Sequence, residues 1–595
     1  MSATSSPRWH RPPRTLLAGL LAATVLLIAT TVPGIFILDE AHQLSMVRAV
    51  AAGRLSLPQP EGLPPSAELS WFDPAAHLQI GPKSPPTPTV PPLHAFLAAP
   101  LLGLGWRGLA ALNAVSLALS TLLVFMLARR YAEGDGTAWL AALAFAACGY
   151  NLEYAQGLWP HMLSVLLILL SFAAAAAVRD GVPAGWAFAA GLAAGLATGV
   201  RYQNAALVAG LAAGIAAWAP RRWSRLALFA AGACVPLAAS SLINAERLGT
   251  WNPVSKGPGY LTLAVVRDGW PITDAARALL FRLVSTSFGV EVPGRPWESF
   301  DPATGMQLHG LVVKKAWFQS TPWLVAGLVA LALAWWGGDR LRNALQRREL
   351  RAATLLVLAL FGVFALAGVR RHDGLSYNQR YLLELVPLLA LGLAWLFEAL
   401  GRRARDLLPG AAVATALVVP TLLAWPMGSP DRIRLLAWAP LVLAAGLTLV
   451  LCARPLRRGP LPAHLVGAAL AWAAVVHVGE DWAASRARRA EQLALTRDMA
   501  AVIPDRSLLL TYWGLKDPAS LLTLDRDVVI ADPWVDSGAD APRLVEAGLA
   551  SGRRVFVLLN GMPPLLARGL LEGRHGRLLD SGRLRFAELF SAPRS

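Results

Sequence analysis

Two adjacent carboxylates, Asp39 and Glu40, stand directly behind a long apolar run in "GIFILDEAHQLS". Acids at such a place can cap the next helix, take up a proton or share a cation. Other ionisable or polar residues interrupt apolar stretches in the same way. They are Glu153 and His161 in "NLEYAQGLWPHM", Arg201 in "GVRYQNAAL", and Arg380 with Tyr381 in "RRHDGLSYNQRYLLELVP". Lys83, in "IGPKSPPTPTVPP", is the only lysine in the first 255 residues, and prolines stiffen the backbone on both sides of it. Guanidinium and ammonium groups suit a phosphate. Asp39, His42, Glu153 and His161 also make a possible divalent-metal set, at a spacing that matches no recognised ligand pattern.

Each residue has a plainer reading. Asp39 caps "DEAHQLSMVRAVAAG", whose first-turn acids suit the helix dipole and whose Gly53 ends it. On that helix Glu40 points about 100° away from Asp39. Lys83 is solvated, Arg201 snorkels from a helix end, Tyr381 anchors at an interface, and His161 bonds a neighbour. Function is favoured by placement, because ionisable groups in or beside a bilayer are costly and mark functional sites.

The bilayer follows from composition. Of 595 residues 55% are hydrophobic and 15% charged, and the mean hydropathy is +0.48, the balance of a polytopic membrane protein. A formal charge of +17 invites a nucleic-acid partner, yet the arginines fall in short clusters between apolar stretches and form no continuous basic face. The three cysteines, Cys148, Cys234 and Cys452, offer neither a disulfide framework nor a CxxC site.

The N-terminal run has a basic head and no small-residue cleavage site, so it reads as an uncleaved first helix with its head in the cytoplasm. Apolar segments then recur at 107–128, 137–150, 161–178, 184–200, 203–219, 225–243, 321–337, 352–369, 380–398, 409–427, 434–452 and 461–478. With the first helix they make about thirteen spans. Basic clusters at Arg8–Arg14, Arg129–Arg130, Arg179, Arg221–Arg225, Arg340–Arg351, Arg402–Arg405 and Arg454–Arg458 keep one side, and the odd count puts the C-terminus outside. Residues 90–105 are proline-rich and short, which suits an interfacial helix.

This map places every polar segment above on the outer face. Residues 1–480 form the all-α polytopic bundle, with an outward first loop, 38–106, and a second large external loop, 244–320, of which 261–320 has amphipathic pieces and irregular chain of a length that suits a lid. Residues 481–595 form a small extracytoplasmic α/β domain with strands in "RSLLLTY", "RDVVIAD" and "RRVFVLLN". The glycines of "GLAAGLATG" let helices approach closely and do not form a phosphate loop.

The segments "LDEAHQLSMVRAVAAGRLSLP", "KSPP", "LHAFLAAPLLGLG", "LARRYAEGDGTAWLAAL", "LINAERLGTWNPVSKGPGY" and "NQRYLLELVPLLALGLAWL" together resemble the GT-C superfamily of membrane glycosyltransferases. Within it they look most like the family 39-like enzymes, among them protein mannosyltransferases and lipid A aminoarabinose transferases. The resemblance covers residues 15 to 400 and implies a GT-C-like bundle. It further implies hexosyl or pentosyl transfer from a polyprenyl-phosphate donor to a hydroxyl of a lipid, glycan or protein, on the outer face of a bacterial inner membrane. Asp39 matches the family's acid at the start of the first external loop, as base or acceptor-orienting group, with Glu40 beside it. Lys83 matches the lysine before the proline pair, and it joins Arg201, Arg380 and Tyr381 as contacts to the phosphate. At His161 some relatives carry an acid, and Glu153 is a substitute for it. The competing class is a transporter or lipid flippase, which calls for repeated, interrupted helices and a polar site at the midplane; the two halves show no such correspondence.

Overall fold

The computed structural model describes residues 11–57, 61–63, 78–79, 87–88, 90–131, 134–179, 182–219, 221–255, 284, 287–289, 300–301, 306–309, 312–336, 378, 380–457, 459–511, 515–531 and 541–591. A helix, α1 (Arg14–Thr30), leads through a short link into α2 (Leu38–Ala51), the helix that carries the paired acids. Gly53, at φ 71°, ends α2 in the left-handed conformation that only glycine adopts without strain. The stretch expected to lie at the interface is helical. It consists of α3 (Pro92–Ala98), a 3₁₀ turn (Ala99–Leu104) and a bend at Gly105, from which α4 (Gly105–Tyr131) starts.

The bundle continues with α5 (Asp135–Ala146), α6 (Asn151–Ala155), α7 (His161–Arg179), α8 (Gly185–Val200), α9 (Ala205–Trp218) and α10 (Arg222–Leu248). Further helices span Leu324–Trp336, Val386–Ala399, Leu408–Ala424, Pro430–Cys452 and Leu461–Ala474. A helix therefore occupies each expected segment except 352–369, which lies outside the described residues. Among the described residues seven helices are long and apolar enough to cross a membrane, and four apolar helices are shorter.

Close helix approach follows the small residues. A Cβ added to Gly191 on α8 would lie 1.9 Å from the Phe229 carbonyl oxygen of α10, and one on Gly232 of α10 would lie 2.1 Å from that of Phe188. The two backbones touch where the sequence supplies no side chain. By contrast, α10 and the Leu408–Ala424 helix turn Leu242, Val235, Val413, Leu417 and Leu423 outward, as lipid-facing surfaces do.

The second large loop departs from the expectation of irregular chain. Its described residues include three short antiparallel strands, β3 (Phe300–Asp301), β4 (Met306–His309) and β5 (Val312–Val313). In the first loop a two-residue strand, β1 (Leu78–Gln79), pairs antiparallel with β2 (Thr87–Pro88).

After Leu461–Ala474 the chain does not leave the helix. A π-helical turn, Val475–Asp481, runs directly into the helix Trp482–Val502. There follow β6 (Ser507–Leu510), β7 (Val528–Ala531), β8 (Arg554–Leu558), β9 (His575–Ser581) and β10 (Leu584–Phe590), in the sheet order β7-β6-β8-β10-β9. The three strands read from sequence are the parallel ones, and β9–β10 adds an antiparallel hairpin that was not anticipated. Alternation along the strands builds a core on each face. Leu508, Leu510, Val555 and Val557 pack with Leu544 and Val545 of the Ala541–Ala550 helix. Leu509, Ile530, Phe556 and Leu558 pack with Leu495 and Met499 of the Trp482–Val502 helix.

Candidate active site

The two acids that open α2 have opposite environments. Asp39 keeps 46% of its side chain exposed and accepts a hydrogen bond from an Nη of Arg380, which is 11% exposed. Glu40 is fully buried and bonded on both oxygens. Its Oε2 accepts from the Phe36 amide at 2.7 Å and from Arg489 Nη1 at 2.9 Å. Its Oε1 accepts from the Leu158 amide at 2.9 Å and from Arg489 Nη2 at 2.8 Å. The N-cap residue of α2 is Ile37, not Asp39. Asp39 sits in the first helical turn, its side chain half-exposed.

Glu40 is held from several directions. Arg489 of the Trp482–Val502 helix also donates to the Gly34 carbonyl, and its guanidinium lies 5.6 Å from the ring of Phe36. The neighbouring Arg488 donates from Nε to the Phe36 carbonyl at 2.9 Å. Asn113 of α4 donates to the carbonyls of Gly157 and Trp159 and so shapes the turn whose Leu158 amide reaches Glu40. A Cβ at Gly157 would lie 1.8 Å from Glu40 Oε1, so this position has no room for any side chain. On the next turn of α2, Gln43 meets His94 of α3 at 3.0 Å.

The stretch that supplies Arg380 is a hub. Asn378 precedes it, and the 3₁₀ turn Arg380–Leu385 carries Glu384. The Asn378 amide donates to Glu153 at 2.8 Å and to Asp481 at 2.9 Å, while its oxygen accepts from Ser320 at 2.8 Å. The Asn378 carbonyl accepts from the Tyr154 hydroxyl at 2.6 Å. Asp481 also takes Lys315 Nζ at 2.6 Å and His477 Nδ1 at 3.0 Å, all three side chains being buried. Glu384, fully buried, pairs with Arg201 and accepts from Ser164 at 2.7 Å.

The expected site residues thus separate. Asp39 and Arg380 meet. Arg201, read as a phosphate contact, is 5% exposed and pairs inward with Glu384, because α8 ends at Val200 and turns the guanidinium into the bundle. Glu153 serves Asn378, and His161 stacks on Tyr154 at 4.8 Å and meets Trp159 edge-on at 5.3 Å. His42 is buried on α2. The proposed metal set of Asp39, His42, Glu153 and His161 is therefore not assembled, and no group of three or more potential ligands occurs among the described residues. Lys83 and the Tyr381 side chain lie outside the described residues.

Sequence reading missed Arg489, Asn378, Glu384, Lys315, Asp481 and His477. Lysine scarcity was one available signal, since Lys315 is one of five lysines in the chain. Arg489 sits in "SRARRAEQ", where an arginine run reads as a solvated helix face.

No protein-family model and no curated protein sequence matches the chain. Solved structures do. The fold is similar to that of ArnT from Cupriavidus metallidurans bound to undecaprenyl phosphate, at 15% identity and a TM-score of 0.53 over 97% of this chain and 98% of that one. The apo state of the same protein gives 17% and 0.52 over the same shares. The apo oligosaccharyltransferase of Archaeoglobus fulgidus aligns at 13% and 0.47, over 91% of this chain and 69% of that one, which is too distant to carry an argument. At these identities the likeness establishes the fold alone: a polytopic helical bundle with a small C-terminal domain that contains β-strands.

Proposed function

We propose that the protein is an integral membrane glycosyltransferase that moves a sugar from a polyprenyl-phosphate carrier to a hydroxyl acceptor, with Asp39 as the general base. The observation that carries this reading is the half-open Asp39–Arg380 pair, set in a fold similar to one crystallised with undecaprenyl phosphate. The acceptor oxygen attacks the anomeric carbon, its proton passes to Asp39, and the bond from that carbon to the phosphate oxygen breaks. The lipid phosphate leaves with the electron pair, and Arg380 offsets its growing charge. In the resting state Arg380 and Asp39 neutralise each other. An arriving phosphate competes for Arg380 and leaves Asp39 ionised toward the acceptor.

Glu40 and Arg201, whose pairs are buried, hold structure in this reading and do not touch substrate. The basic clusters favour an orientation with the acids outside, on the extracytoplasmic face of a bacterial inner membrane. The test is transfer of label from a panel of radiolabelled polyprenyl-phosphate sugars by the purified protein in proteoliposomes that contain native lipid extract. Transfer that depends on Asp39 supports the reading. No transfer from any donor returns the weight to a transporter or flippase.

A further inference from the structure

One helix run bonds the chain neighbours of both halves of the Asp39–Arg380 pair. Asp481, the last residue of the π turn, receives the amide of Asn378, two residues before Arg380. Arg489, eight residues further along, makes the bidentate pair with Glu40, the residue next to Asp39. Eight helical residues span about 12 Å, so the two grips sit about two turns apart on one rigid rod. Lys315 bonds the other carboxylate oxygen of Asp481, and His477, one turn back on the same helix run, shares Oδ2 with Asn378; Arg488 doubles the grip on the α2 entry through the Phe36 carbonyl. Beyond Arg489 the same helix packs its Leu495 and Met499 into the C-terminal sheet.

The π turn matters to this geometry. Its wider winding sets the rotation of the Trp482–Val502 helix relative to the Leu461–Ala474 helix and thus decides which residues face α2, and π turns are frequent where a helix serves a site. Asn378 donates to both Glu153 and Asp481, and Arg489 and Glu40 occupy the space that a Cβ at Gly157 would fill.

We infer that the continuous run Leu461–Val502 is the brace that sets Asp39 against Arg380, with Asp481 and Arg489 as its positioning residues. Its catalytic consequence rests on the transferase reading, and its structural consequence does not. The small C-terminal domain, anchored on the same rod, is thereby coupled to the pair.

The experiment uses the full chain in nanodiscs, comparing Arg489→Gln, Arg489→Lys and Asp481→Asn with wild type. Hydrogen exchange is followed in segments 36–51, 380–385 and, as control, 163–178. Arg489→Gln raises exchange about 10-fold in 36–51, and Asp481→Asn does so in 380–385, with 163–178 unchanged. With a donor that wild type turns over, kcat falls about 10- to 100-fold and the donor KM moves less than about 3-fold, with Arg489→Lys intermediate. Exchange at wild-type levels in both site segments overturns the brace, as does an equal rise in 163–178. If wild type transfers no sugar, the transferase reading fails, and the exchange data alone decide the brace.

Discussion

The open end of α2 and the closed junction one residue away use the same chemistry, an acid paired with an arginine, to opposite effect. Asp39 meets Arg380 across 341 residues with nearly half of its side chain in solvent. Glu40 meets Arg489 across 449 residues with none. A pair that solvent reaches on its acid side is screened there and contributes less to stability than a closed one. A buried pair with every oxygen bonded does the reverse, because losing one partner leaves an uncompensated charge. Adjacent positions on one helix thus separate a half-exposed acid, the base in the proposed reading, from a buried acid that joins α2 to the Trp482–Val502 helix.

The largest effect that sharpens this contrast is expected at the junction. Arg489→Ala strands the Glu40 carboxylate and costs about 3–5 kcal/mol, measured by denaturant unfolding in detergent. An unchanged midpoint would break the contrast at its stable end. Gly157→Ala places a methyl group against Glu40 Oε1 and costs about 1–3 kcal/mol through displacement of the clasp. Its effect should vanish when Glu40 and Arg489 have already been replaced, which a double-mutant cycle reads directly. Gly191→Leu forces α8 and α10 apart and lowers folded yield in the membrane without altering the α2 junction, a separation that exchange in segment 36–51 can check. The smallest effect is at the open end, where Asp39→Asn shifts stability by less than about 1 kcal/mol.

How much of this was legible in the sequence follows from the range of each interaction. The helices were legible because apolar length and small-residue spacing are local: α2 starts and stops within "LDEAHQLSMVRAVAAG", and Gly191 of "GLAAGLATG" lies where helices touch. The parallel strands were legible as β-rich runs. The β9–β10 hairpin was not, since "HGRLLDSGRLRFAELF" places exposed and buried residues on one polar-looking ribbon. Asp39 and Arg380 stood out as charges at helix ends, but nothing local says that they meet. Glu40 looked like a second catalytic acid because its partner lies on a helix that reads as solvated. Asn378 carried no charge to attract notice, although it joins Glu153 to Asp481.

The central claim is that Asp39 takes the proton while Glu40 holds the frame. The measurement that tests it most directly is initial rate of label transfer by folded Asp39→Asn protein in proteoliposomes, against wild type, with a polyprenyl-phosphate sugar that wild type uses. A fall of at least about 100-fold, at unchanged unfolding midpoint, is the predicted result, since general-base catalysis is worth roughly that much. Equal rates would contradict the account and leave Asp39 as a surface partner of Arg380.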